Sequence, residues 1–423
     1  MKEEKNVPVQ GLLNYLKDSP TAYQAVEGIR MRLKDAGVTE LSEKEAWSIK
    51  PGKTYFVTRN DTSIIAFTVP KNAVGFRIYA AHSDCPLYKV KENPESEVEG
   101  KYIRLNTEPY GGMIPRTWFD RPLSVAGRLI VRSENGPESR LVNVDRDLLL
   151  IPSVAIHMTR DEGDEKLNPQ QDMLPLYALY GGKGTFLSTV ASAAGVKAED
   201  VLSYDLYLYL REKPVIWGAE NEFFSASGID DRECAFGGLN GFLGGKRRNH
   251  ISVFAVFDSE EVGSGSRQGA ASTFLKDVLM RISCVLGDDE EMYQRRIADS
   301  FLISADNAHA VHPNHPEKCD PTNRPVISGG VVLKYSASMS YTTDGMSAAF
   351  VKLLAEEAGV KVQTFFNRTD KRGGSTLGRL SLIQAPIPSA DIGLPQLAMH
   401  SAYETAGVKD YEYLVKLIKT YFA

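Results

Sequence analysis

Acidic residues and histidines gather in a few short clusters: His82-Ser83-Asp84, Asp230-Asp231, Asp258-Ser259-Glu260-Glu261, Ser304-Ala305-Asp306 and, near the end, His400. Zinc takes imidazole nitrogen and carboxylate oxygen as ligands. Two zinc ions about 3.5–4 Å apart need a bridging carboxylate and open positions for water. Asp230 suits the bridge, with His82 and Asp306 completing one metal and Glu261 and His400 the other. Glu260 is then left over, and a carboxylate beside a ligand but not bound can take a proton from the attacking water and pass it to the leaving nitrogen. Asp84 can accept the second ring N–H of His82 and fix its tautomer. Asp231 is expected to act as the N-cap of the helix that follows.

Taken one at a time, these features have ordinary explanations. A His-x-Asp is commonly a hydrogen-bonded structural pair, adjacent glutamates are commonly a solvated face, and a histidine such as His400 is commonly part of a core. The places where they fall change that reading. Phe76 to Ala81, Ile251 to Phe257 and Phe301 to Ile303 are nearly continuous apolar runs, and each runs straight into one of the clusters. Such runs, with Val362 to Phe366, predict strands buried on both faces in a largely parallel sheet. Ligands in open sheets of this kind gather at the carboxyl ends of the strands. Two carboxylates directly after a buried strand are also hard to explain as solvated.

Helical spacing is seen over Leu12 to Leu16, Thr21 to Leu33, Arg232 to Phe242 and Gly345 to Ala358, the last with Thr343 or Asp344 as cap and Gly359 as stop. Between about Val90 and Phe224 the pattern changes to alternating strands: Ser124 to Arg132, Ser139 to Val144 across a Glu134-Asn135-Gly136 turn, and Asp205 to Arg211. The fold class predicted is α/β: a layered, mostly parallel-sheet domain formed by residues 1–89 and 225–423, interrupted by a β-rich domain at 90–224.

Composition narrows the function. With 49 Lys plus Arg against 54 Asp plus Glu, the net charge of −5 carries no basic footprint for nucleic acid. The opening segment MKEEKNVPVQ is charged and no run approaches the roughly 18 apolar residues of a membrane span. Cys85, Cys234, Cys284 and Cys319 form no C-x-x-C pair, so reduced thiols in a cytoplasmic protein are expected.

In chain order, the segments LKDSPTAYQAV, AAHSDCP, TWFDRPLSVAGR, IPSVAIHMTR, GIDDRECAF, DSEEVGSGSRQGA, SADNAHAVHPN, GGSTLGR and DIGLPQLAMHSAYE resemble the aspartyl aminopeptidase family, a branch of the co-catalytic two-zinc exopeptidases. The resemblance implies the same ligands, His82, Asp230, Glu261, Asp306 and His400, with Glu260 as base. It implies that the inserted domain mediates dimerisation, that dimers build a tetrahedral dodecamer, and that His157 reaches a neighbouring subunit's active site. It implies a place near the substrate for Lys334, which by itself would read as a solvated strand-edge lysine. His309, His312 and His315 fall in its HPN segment and are left out of the metal site. The expected activity is removal of the N-terminal residue from peptides, with a preference for Asp or Glu, by a hydroxide bridging two zinc ions. Cobalt and manganese accept the same ligands. The alternatives are a two-metal deacylase of N-acyl amino acids and a noncatalytic assembly protein on the same fold.

Overall fold

The computed structural model describes residues 7–159, 166–245, 249–371, 373–374 and 376–423. The charged opening residues 1–6 lie outside them. Nine strands form the main sheet, in the order Thr39–Glu40, Thr54–Arg59, Ser63–Thr68, Ile251–Phe257, Phe76–His82, Phe301–Ala305, Ser389–Gly393, Val331–Tyr335 and Val362–Phe366. Its centre is parallel: Ile251–Phe257, Phe76–His82, Phe301–Ala305 and Ser389–Gly393 run side by side in one direction. All residues of Ile251–Phe257 and Phe301–Ala305 are buried, which is why these segments read as unbroken apolar runs.

Both faces of the sheet are covered by helices. Val7–Asp18, Ile229–Gly244 and Val408–Tyr421 pack with Tyr79, Phe254 and Phe242 on one face, and Phe274–Val285 packs with Phe257 and Ile78 on the other. Gly238 faces the ring of Tyr79 so closely that a Cβ there would sit 2.1 Å from it, so glycine sets the approach of helix to sheet. Gly345–Ala358 has a capping box between Asp344 and Ser347 and ends on Gly359 in the left-handed region, as its sequence predicts.

A separate six-stranded antiparallel sheet, ordered Gly136–Asn143, Leu123–Ser133, Val201–Leu210, Leu87–Val98, Tyr102–Tyr110 and Leu176–Leu179, is built from the alternating stretches. It buries its own core around Trp118, Leu129 and Phe186. A third sheet of five short strands was not anticipated. In it Val215–Trp217 and Phe223–Ala226 pair onward to Glu404–Gly407, Pro395–Leu397 and Ala308–His309. The expected boundary at residue 224 falls inside this sheet. No helix among the described residues is long and apolar enough to cross a membrane.

Candidate active site

Three adjacent parallel strands bring their carboxyl ends to one place. His82 closes Phe76–His82, Asp306 follows Phe301–Ala305, and the chain after Phe257 turns through Ser259 at φ 66° into a short helix carrying Glu260 and Glu261. Asp230 enters from the start of Ile229–Gly244, and His400 sits at φ 66° just beyond Pro395–Leu397. The loop before Trp118 closes over them: Gly111, at φ 77°, comes so near that a Cβ would lie 2.9 Å from that of Glu261.

Two groups of potential ligand atoms result, His82 with Asp230 and Asp306, and Asp230 with Glu261 and His400, each within 4.8 Å of one another. Asp230 belongs to both. Its Oδ1 lies 3.6 Å from His82 Nε2, while its Oδ2 lies 3.4 Å from His400 Nε2, which is also 3.4 Å from Glu261 Oε2. Asp230 Oδ1 and Glu261 Oε1 are buried and accept no hydrogen bond. Buried carboxylate oxygens without donors are costly unless a cation pairs with them, so the donor set fits two divalent metal ions.

Electrostatics agree with the geometry. Burial, opposed by the charge of His82 and aided by those of Asp306, Asp84 and Asp230, pushes the Glu260 carboxyl up to about 8. Burial and the negative charge of Asp230 hold Glu261 well above the carboxylate range. Burial also disfavours charge on His82, yet its contacts with Asp230 and Asp84 raise the imidazole well above its ordinary value. Burial would raise Asp230, but the nearby imidazoles of His400 and His82 leave it below that range.

The surrounding contacts refine the sequence reading. His82 Nδ1 is 3.1 Å from the Asp84 carbonyl oxygen and 3.4 Å from Asp84 Oδ1, so both groups can hold the tautomer that leaves Nε2 facing Asp230. The Asp84 carboxylate also accepts the backbone N–H of Glu260 and of Glu261, each at 3.2 Å, and the Tyr110 hydroxyl at 2.8 Å. Asp231 stands at a non-helical kink (φ −113°, ψ 20°) directly before the helical run from Arg232, where a cap is expected, but its Oδ2 accepts the His82 backbone N–H at 3.1 Å and ties the helix start to the strand end. Lys334 is buried instead of solvated: its ammonium donates to the carbonyls of Asp306 at 2.8 Å and Asn307 at 3.2 Å, and lies 3.3 Å from Asp306 Oδ1. Three donors are thereby directed at this one turn.

Glu404 was not picked out from sequence, and His309 was named only to be left out of the metal site. Glu404 accepts the backbone N–H groups of Asp230 and His400, and His309 lies within electrostatic reach of Asp230, His400 and Lys334. His312 and His315 stand apart, their rings tilted at 38° with centroids 5.3 Å apart. His157 is on the exposed short helix Ile156–Thr159 and makes no hydrogen bond or ion pair with either triad among the described residues.

Comparison with known proteins agrees with this arrangement. Residues 15–422 match the aminopeptidase I zinc metalloprotease family, M18. The chain is 45% identical over 422 residues to a probable M18 family aminopeptidase 2 of Clostridium novyi, covering 97% of each chain. It is 35% identical over 446 residues to the aspartyl aminopeptidase of Caenorhabditis elegans, covering 98% of this chain and 94% of that one. The solved structure of the S. cerevisiae mApe1 dodecamer superposes with a TM-score of 0.86 at 26% identity, covering 99% of this chain and 96% of that one. With a matching site, fold and sequence over nearly its whole length, the chain belongs to the aminopeptidase I zinc metalloprotease family and is a metal-dependent aminopeptidase.

Proposed function

We propose that the chain removes single N-terminal residues, acidic ones preferentially, from peptides, using two zinc ions held by His82, Asp230, Asp306, Glu261 and His400. The observation that carries this reading is the shared carboxylate of Asp230, whose two oxygens face different histidines. Zinc bound there supplies Lewis acidity toward the scissile carbonyl and makes water a nucleophile near neutral pH. Glu260, outside both triads but adjacent to the ligand Glu261, would take the proton of the attacking water and return it to the leaving amine. Asp84 orients His82 and, through the two backbone N–H groups it accepts, the Glu260-Glu261 turn. Lys334 braces Asp306, acting on substrate through that carboxylate.

The acidic preference draws its support from the motif resemblance and from the aspartyl aminopeptidase relative. Residues 90–224 serve dimerisation and residues 1–89 with 225–423 serve catalysis in this reading. Dimers assemble into a tetrahedral dodecamer, for which the dodecameric mApe1 is a precedent. Val154, Ile156 and Met158 are 61%, 66% and 73% exposed, which suits burial of the segment against a neighbouring subunit, with His157 reaching that subunit's active site. Four free cysteines support a cytoplasmic location.

Purified enzyme assayed on acidic and apolar aminoacyl chromogenic substrates, with and without chelator, tests the proposal. Turnover should require metal, favour Asp and Glu, and vanish when the amino end is acylated. Hydrolysis of the acylated substrates in its place would identify a deacylase.

A further inference from the structure

The candidate metal ligands are not held alike. His82 ends a strand of the main sheet, and Asp306, in the turn after the neighbouring strand, is braced by Lys334 from that same sheet. Glu261 and His400, which complete the second triad with Asp230, are approached instead by residues 110–117. This segment leaves the antiparallel sheet at the end of Tyr102–Tyr110 and rejoins the core of that sheet at Trp118.

Its contacts with the site fall on one side. A Cβ at Gly111 would lie 2.9 Å from that of Glu261 and 3.5 Å from Glu261 Oε2, the oxygen that faces His400; a Cβ at Gly112 would lie 3.9 Å from His400 Nδ1. The Ile114 N–H donates to the His400 carbonyl at 3.0 Å, and the Thr117 hydroxyl, which donates to the Ile114 carbonyl at 2.7 Å, accepts the Ala402 N–H at 2.9 Å. His400 needs such ties, because a side chain of its size keeps φ at 66° only where its surroundings fix it. Tyr110 acts at the same end: its hydroxyl donates to Asp84 Oδ2, the oxygen that accepts the Glu261 N–H, whereas His82 Nδ1 faces Asp84 Oδ1. Among the described residues, no hydrogen bond or ion pair joins residues 110–117 to His82, Asp230 or Asp306.

We infer that residues 110–117 are a positioning element for the second metal alone, an inference that rests on the two-metal reading above. Gly111 sets how far Glu261 stands back, and Ile114 with Thr117 fixes the loop that carries His400. Metal–ligand distances are held to within about 0.2 Å, so a push on Glu261 or a slackened His400 loop is felt as lost affinity. The docking of the antiparallel sheet against the main sheet thereby sets the occupancy of one of the two sites and leaves the other to the main sheet.

Zinc titration of the metal-stripped, full-length enzyme in competition with a chelator tests this, repeated with cobalt, whose visible absorption reports ligand geometry. His400→Ala marks the second metal as the binding step it abolishes. Gly111→Ala should weaken that step by about 10–100-fold, the usual effect of disturbing the groups that orient a ligand. Because that variant also strains a backbone at φ 77°, Thr117→Val is the second arm: it keeps the shape, removes the hydroxyl, and should weaken the same step by about 2–10-fold, the effect of one hydrogen bond. Both variants should leave the other step and its cobalt absorption unchanged. Equal weakening of both steps, as a generally loosened fold would give, overturns the inference, and so does an unchanged second step in both variants. A wild type that binds one metal per subunit overturns the two-metal reading, and the inference with it.

Discussion

Glu260 and Glu261 are adjacent and chemically identical, so exchanging each for glutamine is the sharpest test of how the site divides its labour. The backbone N–H groups of both donate to Asp84 at 3.2 Å, and these contacts survive either substitution. Any difference between the variants therefore comes from the side chains. Glu260 belongs to neither triad, whereas Glu261 Oε2 lies 3.4 Å from His400 Nε2. Glu260→Gln should keep two metals per subunit and lose about 10²–10⁴-fold in kcat, or about 2.7–5.4 kcal/mol of transition-state stabilisation, because an amide cannot accept the proton of the attacking water. Glu261→Gln should keep the base and lose affinity for the metal shared with His400. Steady-state kinetics paired with elemental analysis of both purified variants gives the two readouts. Near-wild-type kcat in Glu260→Gln would refute the shuttle, and full metal occupancy in both variants would refute the assignment of Glu261 as a ligand.

Asp230→Ala should cost both metals and His400→Ala chiefly one, by elemental analysis; two metals retained in the Asp230 variant would put the bridge elsewhere. Lys334→Met should lower kcat/KM on acidic and apolar substrates alike and weaken metal binding in chelator competition, because its ammonium is engaged with Asp306; a loss confined to acidic substrates would mean that it meets the substrate directly. His157→Ala and Glu260→Gln subunits, inactive alone, should regain activity when co-assembled, and failure of mixed oligomers to do so would confine His157 to its own subunit. Phe254→Ala, fully buried and stacked on Tyr79 and Phe242, should destabilise the fold by about 3–5 kcal/mol in denaturant unfolding; a change below about 1 kcal/mol would mean that the surrounding core collapses into the space.

What could be read from the sequence was whatever a local pattern enforces. Ile251–Phe257 must be apolar throughout because both faces are covered, and its end must be polar because the sheet ends there, so strand and cluster were visible together. The antiparallel sheet showed itself in the same way, through alternation and a Glu-Asn-Gly turn at 134–136. The five-stranded sheet was not visible, since Val215–Trp217, Pro395–Leu397 and Ala308–His309 are too short for a period to register and the sheet joins segments as distant as Phe223–Ala226 and Glu404–Gly407. Local grammar placed Asp231 before its helix but could not give the partner of its carboxylate. Asp before an apolar helix is a good cap by composition, but its carboxylate is taken by the backbone N–H of His82, a residue 149 positions away.

Lys334 shows the same limit for a side chain. Nothing in GGVVLKYS separates a lysine on a wet strand edge from one 2% exposed against Asp306, because the difference lies in which strand comes alongside. Val331–Tyr335 pairs antiparallel with Ser389–Gly393, opposing Lys334 to Asp391, and Ser389–Gly393 in turn runs parallel to Phe301–Ala305. That order carries the lysine across to the turn after Ala305, where it donates to two carbonyls and faces one carboxylate oxygen. A buried ammonium is stable only with such partners. Ligand types could thus be inferred from residues that follow buried strands, but the groups that hold those ligands in place are chosen by strand order, which no single stretch of the chain contains.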